Sequence, residues 1–259
     1  MELKDLLYEK RGQAAWITLN RPQALNAITP ELIQSLRLSA EDAKTDNNVK
    51  VLVITGAGRG FCAGADIRVM DNAGLDNFRD FLALLTEVWS GIRTFPKPTI
   101  AAINGVVVGA GFELILVCDF RLAVKTARIG SAEVRINQPM TNGSTYLLSR
   151  LIGEAKAKEI GMTGDILAAE DAARLGLVNQ VVEPAELSGK VEELVAKLVS
   201  RGPIAVAQIK QSFARSRDVD IDTAIIVENE AATTCFVSAD QKEGLRAFLQ
   251  KREAKWTGR

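Results

Sequence analysis

Short apolar runs alternate with longer amphipathic segments through the first two-thirds of this 259-residue chain. Runs of five to seven apolar residues between turn signals are typical of buried strands, and apolar positions spaced three and four apart are typical of helices. We predict strands at 15–19, 49–55, 99–103 and 118–124, and helices at about 30–43, at about 77–93 and from 110 onward. Such alternation indicates parallel strands joined by right-handed crossovers, which is an α/β fold.

Capping and proline signals set two of these helix boundaries. Thr29 is followed by Pro30, and threonine caps a helix well while proline suits its first position. Pro96 and Pro98 follow the helix at 77–93 and are expected to end it before the next strand.

After the apolar run at 178–182 the pattern becomes wholly helical. Helices are predicted at 187–200, 204–215, 221–236 and 240–251. We interpret residues 1–198 as the core and residues 199–259 as a helical assembly region. Its large apolar residues are too many for a solvated appendage.

Composition narrows the class of protein. Lys and Arg total 32 and Asp and Glu total 32, so no net field would attract nucleic acid or an anionic membrane. Three widely spaced cysteines argue against a disulfide framework or a zinc site. With no signal peptide and no long apolar span, we expect a cytoplasmic protein that binds neither membrane nor metal.

Two loops rich in small residues, 55–66 and 104–113, each follow a predicted strand. Small residues let a backbone come close to a ligand, and a helix opening after such a loop points unpaired N–H groups at it. Two such donors converging on one oxygen would form an oxyanion hole. The alternative is that the glycines only serve tight turns, and their spacing approximates a dinucleotide fingerprint only weakly.

Two glutamates, Glu113 and Glu133, are the candidate catalytic groups. The chain contains no histidine, so acid–base work falls to carboxylates, tyrosines, lysines or cysteines. Glu113 lies in the apolar stretch 112–117, where a carboxylate is either paired with a cation or kept for proton transfer. Glu133 alone is equally consistent with an ordinary helix or loop acid.

Five segments in order resemble the crotonase superfamily, the enoyl-CoA hydratase/isomerase family, over nearly the whole chain. They are NRPQALNA at 20–27, FCAGADI at 61–67, the second loop with its helix at 102–119, the stretch 162–179, and EGLRAFLQKR at 243–252. The resemblance implies a crotonase-like ββα spiral core with a C-terminal helical trimerisation region. It also implies an acyl-CoA thioester as substrate, a homotrimer or homohexamer, and no cofactor besides the CoA of the substrate.

The resemblance assigns a role to each matching position. The oxyanion-hole donors are the backbone N–H groups of Ala65 and Ala110. The residues implied to contact CoA are Ala24, Leu25, Ala63, Asp66, Ile67 and Arg68, with Phe248 and Lys251 near its adenine and phosphates, sometimes across a subunit interface.

Both acids of the hydratases in this family have counterparts here, Glu113 and Glu133. Adding water across a 2,3-double bond needs a base to activate water at C3 and an acid to protonate C2. We therefore predict an enoyl-CoA hydratase. An enoyl-CoA isomerase, which commonly relies on the second acid alone, and a thioester or C–C hydrolase are the alternatives.

One segment departs from the family. After the second acid most members have a glycine-rich stretch, but residues 134–146 carry polar side chains that include Thr141 and Asn142. Because the family's segment borders the acyl group, these two residues are predicted to line the acyl pocket. Either the polar residues only cap the next helix and pair with local backbone, or the preferred acyl group carries a polar or ring substituent.

A non-catalytic role is a further alternative, since one branch of the family that the chain resembles binds RNA through a lysine-rich first helix. Here the helix from 30 to 44 offers Arg37 and Lys44 and also carries three acids. Phosphate binding requires a basic stripe, so no nucleic-acid partner is expected.

Overall fold

The computed structural model describes residues 3–71 and 73–259. Its strands are β1 Leu6–Arg11, β2 Ala14–Leu19, β3 Val51–Gly56, β4 Gly60–Cys62, β5 Thr99–Ile103, β6 Val106–Val108, β7 Phe120–Val124, β8 Arg128–Gly130, β9 Ile166–Ala168 and β10 Gln180–Val182. Its helices are α1 Pro30–Thr45, α2 Ile67–Asp71, α3 Leu75–Arg93, α4 Ala110–Val117, α5 Ser144–Ile152, α6 Glu154–Thr163, α7 Ala169–Arg174, α8 Leu187–Val199, α9 Pro203–Arg215, α10 Ile221–Phe236 and α11 Ala239–Leu249. Short 3-10 turns lie at Pro22–Ala24, Glu133–Ile136 and Pro184–Glu186.

The larger sheet has the strand order β1-β2-β3-β5-β7-β10. From β2 to β10 every neighbouring pair is parallel, and only β1 pairs antiparallel at the edge. The predicted α/β architecture with parallel strands is therefore confirmed. Helix α1 packs against β1 and β2, and α8 packs against β3, β5 and β7, so the central strands are buried along almost their whole length.

The two boundary predictions are confirmed. Thr29 caps α1, and its side chain accepts a hydrogen bond from the N–H of Leu32 across 3.3 Å. Pro30 occupies the first turn, where its missing N–H costs no hydrogen bond. Helix α3 ends at Arg93, ahead of Pro96 and Pro98 as expected.

A second sheet, which the sequence pattern did not show, has the order β4-β6-β8-β9. Each of its strands has only three residues, too few for a hydrophobic period to be visible. Strand β6 pairs in parallel with β4 on one side and with β8 on the other. The chain segments that leave these three strands therefore emerge at the same edge.

Helix α9 of the C-terminal region is bonded to the larger sheet at the amino ends of two of its strands. Lys210 of α9 donates to the Lys97 carbonyl across 3.1 Å and pairs with Asp119 at 2.7 Å. These two residues lie just before β5 and β7, at the amino ends of those strands. The division of the chain at residue 198 stays a prediction. In the described part of the chain, no helix is both long enough and apolar enough to cross a membrane.

Candidate active site

Three parallel strands of the second sheet deliver three candidate segments to one edge. Strand β4 leads to Gly64 and Ala65, β6 leads to Gly109 and Ala110, and β8 leads to the turn that begins at Glu133. The carboxyl ends of neighbouring parallel strands are a common place for a binding site. This edge of the sheet is the candidate active site.

The two glycine-rich loops touch each other at Gly64 and Gly109. A Cβ atom added to Gly64 would lie 3.2 Å from the Gly109 Cα and 3.3 Å from the Ala110 nitrogen. Both glycines also have positive φ angles, +90° and +58°, which side chains disfavour. Glycine at both positions therefore allows the loops to come into backbone contact.

The backbone N–H of Ala65 is free to face this contact. Residue Ala65 forms a parallel bridge with Ile28. In that bridge Ile28 donates to the Gly64 carbonyl at 2.8 Å and accepts from the Asp66 N–H at 2.9 Å. In a parallel pairing the middle residue directs its own N–H to the other side, so the Ala65 N–H points away from Ile28.

The backbone N–H of Ala110 has no intrahelical partner because Ala110 is the first residue of α4. It also lies at the positive end of that helix dipole. Since a Gly64 Cβ would be only 3.3 Å from the Ala110 nitrogen, the Gly64–Ala65 backbone is its neighbour. The two predicted oxyanion-hole positions are thus brought together.

Glu113 lies one turn into α4 and is buried, with 2% of its surface exposed. Its Oε1 accepts from the Thr141 N–H at 2.5 Å and from the Thr141 hydroxyl at 2.9 Å, and its Oε2 accepts from the Asn142 amide at 2.6 Å. Among the described residues it forms no ion pair. Burial raises the pKa of Glu113, the hydrogen bonds from Asn142 and Thr141 lower it, and the charge of Glu133 raises it further.

Glu133 opens the 3-10 turn after β8 and is half-buried. Its Oε2 accepts from the Ser131 hydroxyl at 2.6 Å. Its Oε1 is buried and has no hydrogen-bond partner among residues 3–71 and 73–259. This oxygen lies 3.8 Å from the position that a Gly109 Cβ would occupy, so Glu133 faces the two loops.

The chain matches known proteins along its whole length. The family model described as enoyl-CoA hydratase/isomerase matches residues 9–259. A short-chain-enoyl-CoA hydratase of Clostridium acetobutylicum is 40% identical over 98% of this chain and 97% of its own length. A crotonyl-CoA hydratase of Syntrophomonas wolfei is 38% identical over 98% of both chains. This chain belongs to the enoyl-CoA hydratase/isomerase family.

Solved structures agree with this membership. The crystal structure of an enoyl-CoA hydratase from Bacillus anthracis superposes with a TM-score of 0.96 at 33% identity, covering 99% of this chain and all of that one. The crotonase-like core with its C-terminal helices is therefore confirmed as the fold of this family member.

The residues expected along the CoA path come from two segments that are bonded together. The Ala63 N–H donates to the Leu25 carbonyl at 2.9 Å, which brings the segment containing Ala24 beside the first loop. Asp66 pairs with Arg21 at 2.9 Å and accepts from the N–H of Arg68 at 3.1 Å. Asp66 thus caps α2 and stabilises the loop, and its neighbour Ile67 is exposed. The CoA contacts themselves stay predictions.

Thr141 and Asn142, predicted to line the acyl pocket, direct their side chains at Glu113 instead of capping α5. Helix α5 begins after Gly143 without a side-chain cap. Neither of the two hypotheses for the polar segment includes a hydrogen bond to the first acid. Whether either residue also touches an acyl group stays a prediction.

A cavity of about 500 Å³ lies near the segments that carry the candidate active-site residues. It is lined mainly by apolar side chains of α2, α3 and the turn after Glu133, among them Ile67, Met70, Phe78 and Ile136. Ile67 lies two residues after Ala65, and Ile136 lies three after Glu133. The cavity is therefore lined by residues close in sequence to Ala65 and Glu133, while neither of these two residues nor Glu113 lines it.

Three supporting residues were not found from the sequence. Ser131 stands two residues before Glu133, which is a detectable local signal. Arg21 lies inside the segment 20–27 that carries the family resemblance, but nothing in the sequence pairs it with Asp66. No sequence signal marks Thr86, because an exposed threonine on a helix is common. Only the fold brings Asn142 within hydrogen-bonding distance of it.

Proposed function

We propose that this protein is an enoyl-CoA hydratase, which adds water across the 2,3-double bond of an acyl-CoA thioester. The observation that supports the proposal is that two carboxylates, Glu113 and Glu133, lie beside the two touching loops that carry the N–H groups of Ala65 and Ala110. The charge of Glu133 raises the pKa of Glu113, as expected for groups that share one small site. Hydration needs a base and an acid, and this site offers both.

The proposed mechanism starts from the thioester carbonyl. Its oxygen accepts from the N–H groups of Ala65 and Ala110, which stabilise the enolate that forms when C3 is attacked. Glu113, held by three donors, accepts the proton of the attacking water. Glu133 delivers a proton to C2 from its unpartnered Oε1. The hydroxyl of water is thus added at C3 and a proton at C2, which together add one oxygen and two hydrogens, and the proton taken up by Glu113 must return to Glu133 before the next turnover.

The names of the relatives support a short acyl group, and we propose that the nearby cavity of about 500 Å³ receives the end of a longer one. We therefore propose crotonyl-CoA and its somewhat longer homologues as the substrate class. No cofactor besides the CoA of the substrate is needed, because the two carboxylates supply the acid and the base. The backbone N–H groups stabilise the negative charge that forms on the thioester oxygen. We also place the protein in the cytoplasm, which suits its three free cysteines, with no nucleic-acid partner.

The test is a parallel assay of three reactions on the purified protein. Hydration is followed by the loss of the conjugated enoyl absorbance, isomerisation by its gain from a 3-enoyl-CoA, and hydrolysis by release of the CoA thiol. We expect hydration of a straight-chain panel to exceed both other rates. Faster isomerisation or thiol release would replace the hydratase proposal with the corresponding alternative.

We propose in addition that the protein works as a homotrimer or homohexamer in which the C-terminal region of one subunit completes the CoA site of another. Phe248 is 83% exposed. A Gly258 Cβ would lie 3.8 Å from Lys50 Nζ, immediately before β3 and therefore at the amino end of the sheet. Phe248 and Lys251 belong to this anchored region, while the oxyanion loops lie beyond the carboxyl end of β3.

Truncation after Ser238 tests the assembly. Losing α11 is expected to reduce both the sedimentation coefficient and the affinity for CoA, because large apolar side chains of this region are exposed in the single chain. The variants Phe248→Ala and Lys251→Ala should weaken CoA binding while the assembly persists. A full-length protein that sediments as an active monomer would contradict the proposal.

A further inference from the structure

The carboxylate of Glu113 is held by a segment in which this chain departs from its family. Three protein groups donate to it: the Thr141 N–H, the Thr141 hydroxyl and the Asn142 amide. An ionised carboxylate has about four acceptor sites. Three protein donors therefore leave about one site, which is what a single water molecule needs.

The backbone conformation of Asn142 allows its side chain to make this contact. Its φ angle is +55°, a left-handed conformation that asparagine tolerates better than most residues. The conformation lets the side chain turn back toward α4, where Nδ2 lies 2.6 Å from Glu113 Oε2 and 2.9 Å from the Thr141 hydroxyl. Because only the amide nitrogen can donate to a carboxylate, the Asn142 oxygen must face the other way.

The Asn142 side-chain oxygen lies next to the hydroxyl of Thr86 on α3. The distance from Thr86 Oγ1 to Asn142 Oδ1 is 2.8 Å, and the distance to the Leu82 carbonyl in the same helix is also 2.8 Å. Neither the Leu82 carbonyl nor the Asn142 oxygen can donate, so Thr86 is the donor in both contacts and shares its one proton between the two acceptors. Thr86 therefore fixes the orientation in which Asn142 presents its amide nitrogen to Glu113.

We propose that Asn142, oriented by Thr86, is a positioning residue that keeps the buried Glu113 carboxylate ionised and aimed at the water, and that it is not a contact for the acyl group. The inference rests on the proposed hydratase function. A buried carboxylate tends to become neutral, and a hydrogen bond to its charged form opposes this. The polar segment thus acts as a support for the first acid.

The main variant is Asn142→Gly, which removes the amide while glycine keeps the left-handed backbone without strain. We expect kcat/KM for hydration to fall about 10- to 100-fold, the range of a hydrogen bond to a charged group. The acidic limb of the pH–rate profile should move to higher pH. The loss should be equal for crotonyl-CoA and for a longer enoyl-CoA. Asn142→Asp places a like charge beside Glu113 and should shift the limb further.

Thr86 provides the matched comparison. Thr86→Val should lower kcat by about two- to tenfold, and Thr86→Ser should restore it. Thr94→Val is the control, because Thr94 lies in the same helix α3 region and makes the same kind of bond to the carbonyl four residues earlier, across 2.8 Å. Equal effects of Thr86→Val and Thr94→Val would show that only the helix was perturbed and would overturn the orienting role.

A second readout does not depend on activity. In protein with carboxyl-labelled glutamate, the Glu113 resonance, assigned by its loss in Glu113→Gln, reports ionisation directly. We expect it to titrate at higher pH in Asn142→Gly than in the wild type. An unchanged titration would overturn the proposal, as would a substrate-dependent loss with an unchanged pH profile. Wild-type protein that does not hydrate enoyl-CoA would refute the proposed function, while the titration would still test the positioning role.

Discussion

The two acids occupy opposite kinds of environment. Glu113 lies inside α4, a helix buried at every position, and its carboxylate is bonded by residues of a distant segment. Glu133 lies on a short turn with no buried residue, and the only hydrogen-bond partner of its carboxylate among the described residues is Ser131, two positions away. One acid is held by tertiary structure and the other by its own local turn.

This difference points to a division of labour. A carboxylate with three donors is stabilised in its charged form and suits a base, whereas an oxygen without a donor is available to carry and deliver a proton. The same α4 that buries Glu113 also presents the Ala110 N–H at its first residue. The α4 region therefore supplies both the base and a backbone N–H for the thioester oxygen, and the Glu133 turn supplies the acid.

The largest expected effect comes from removing either acid. Glu113→Gln and Glu133→Gln should each lower kcat by about 10²- to 10⁴-fold, the reach of a positioned acid or base. The double variant should lose far less than the product, since both acids act on one water. Steady-state hydration rates with circular dichroism as a fold control measure this. Near-full activity in a folded Glu113→Gln protein would favour the isomerase alternative.

The electrophilic role of the α4 region can be separated from its acid. Ala110→Pro removes one N–H at a position where proline suits a helix, and kcat should fall about 10²- to 10³-fold with CoA binding largely kept. Ala110→Gly, which keeps the N–H, should be nearly silent. Similar losses in the two folded variants would mean that the side chain matters and that the oxyanion assignment is wrong.

The pH dependence should report the environment of Glu113. The base acts when ionised, so the hydration rate declines about tenfold per pH unit below the Glu113 pKa. Because burial raises that pKa, the decline should begin at higher pH than for an exposed glutamate. A kcat/KM profile from pH 4 to 8 measures it, and a rate that stays flat to the usual glutamate range would remove Glu113 from the role of base.

The smallest effect should come from the local support of the second acid. Ser131→Ala removes the one hydrogen bond to the Glu133 carboxylate and should lower kcat by about two- to tenfold. Ser144→Ala is a matched control, because Ser144 is equally buried but its hydroxyl has no partner in the described part of the chain. If the two variants behaved alike, the bond from Ser131 would have no part in placing Glu133.

Local signals predicted much of the fold and the candidate site. The strands at β2, β3 and β5, the start of α1 and the end of α3 could be predicted because each has a run of several apolar residues or a capping signal of its own. The four strands of the second sheet could not, because three residues carry no readable period. Yet the pairing of β4, β6 and β8 is what brings Gly64, Gly109 and Glu133 to one edge.

The sequence by itself determined which groups were available for chemistry: two glutamates, two loops of small residues and no histidine. Residue identity and short-range spacing are enough for that, because caps, turns and apolar runs act over a few residues. Only the tertiary structure decided that Thr141 and Asn142 hold Glu113 and that Thr86 orients Asn142. Those hydrogen bonds join segments separated by 28 to 56 positions, and nothing short of the folded backbone places their atoms within bonding distance.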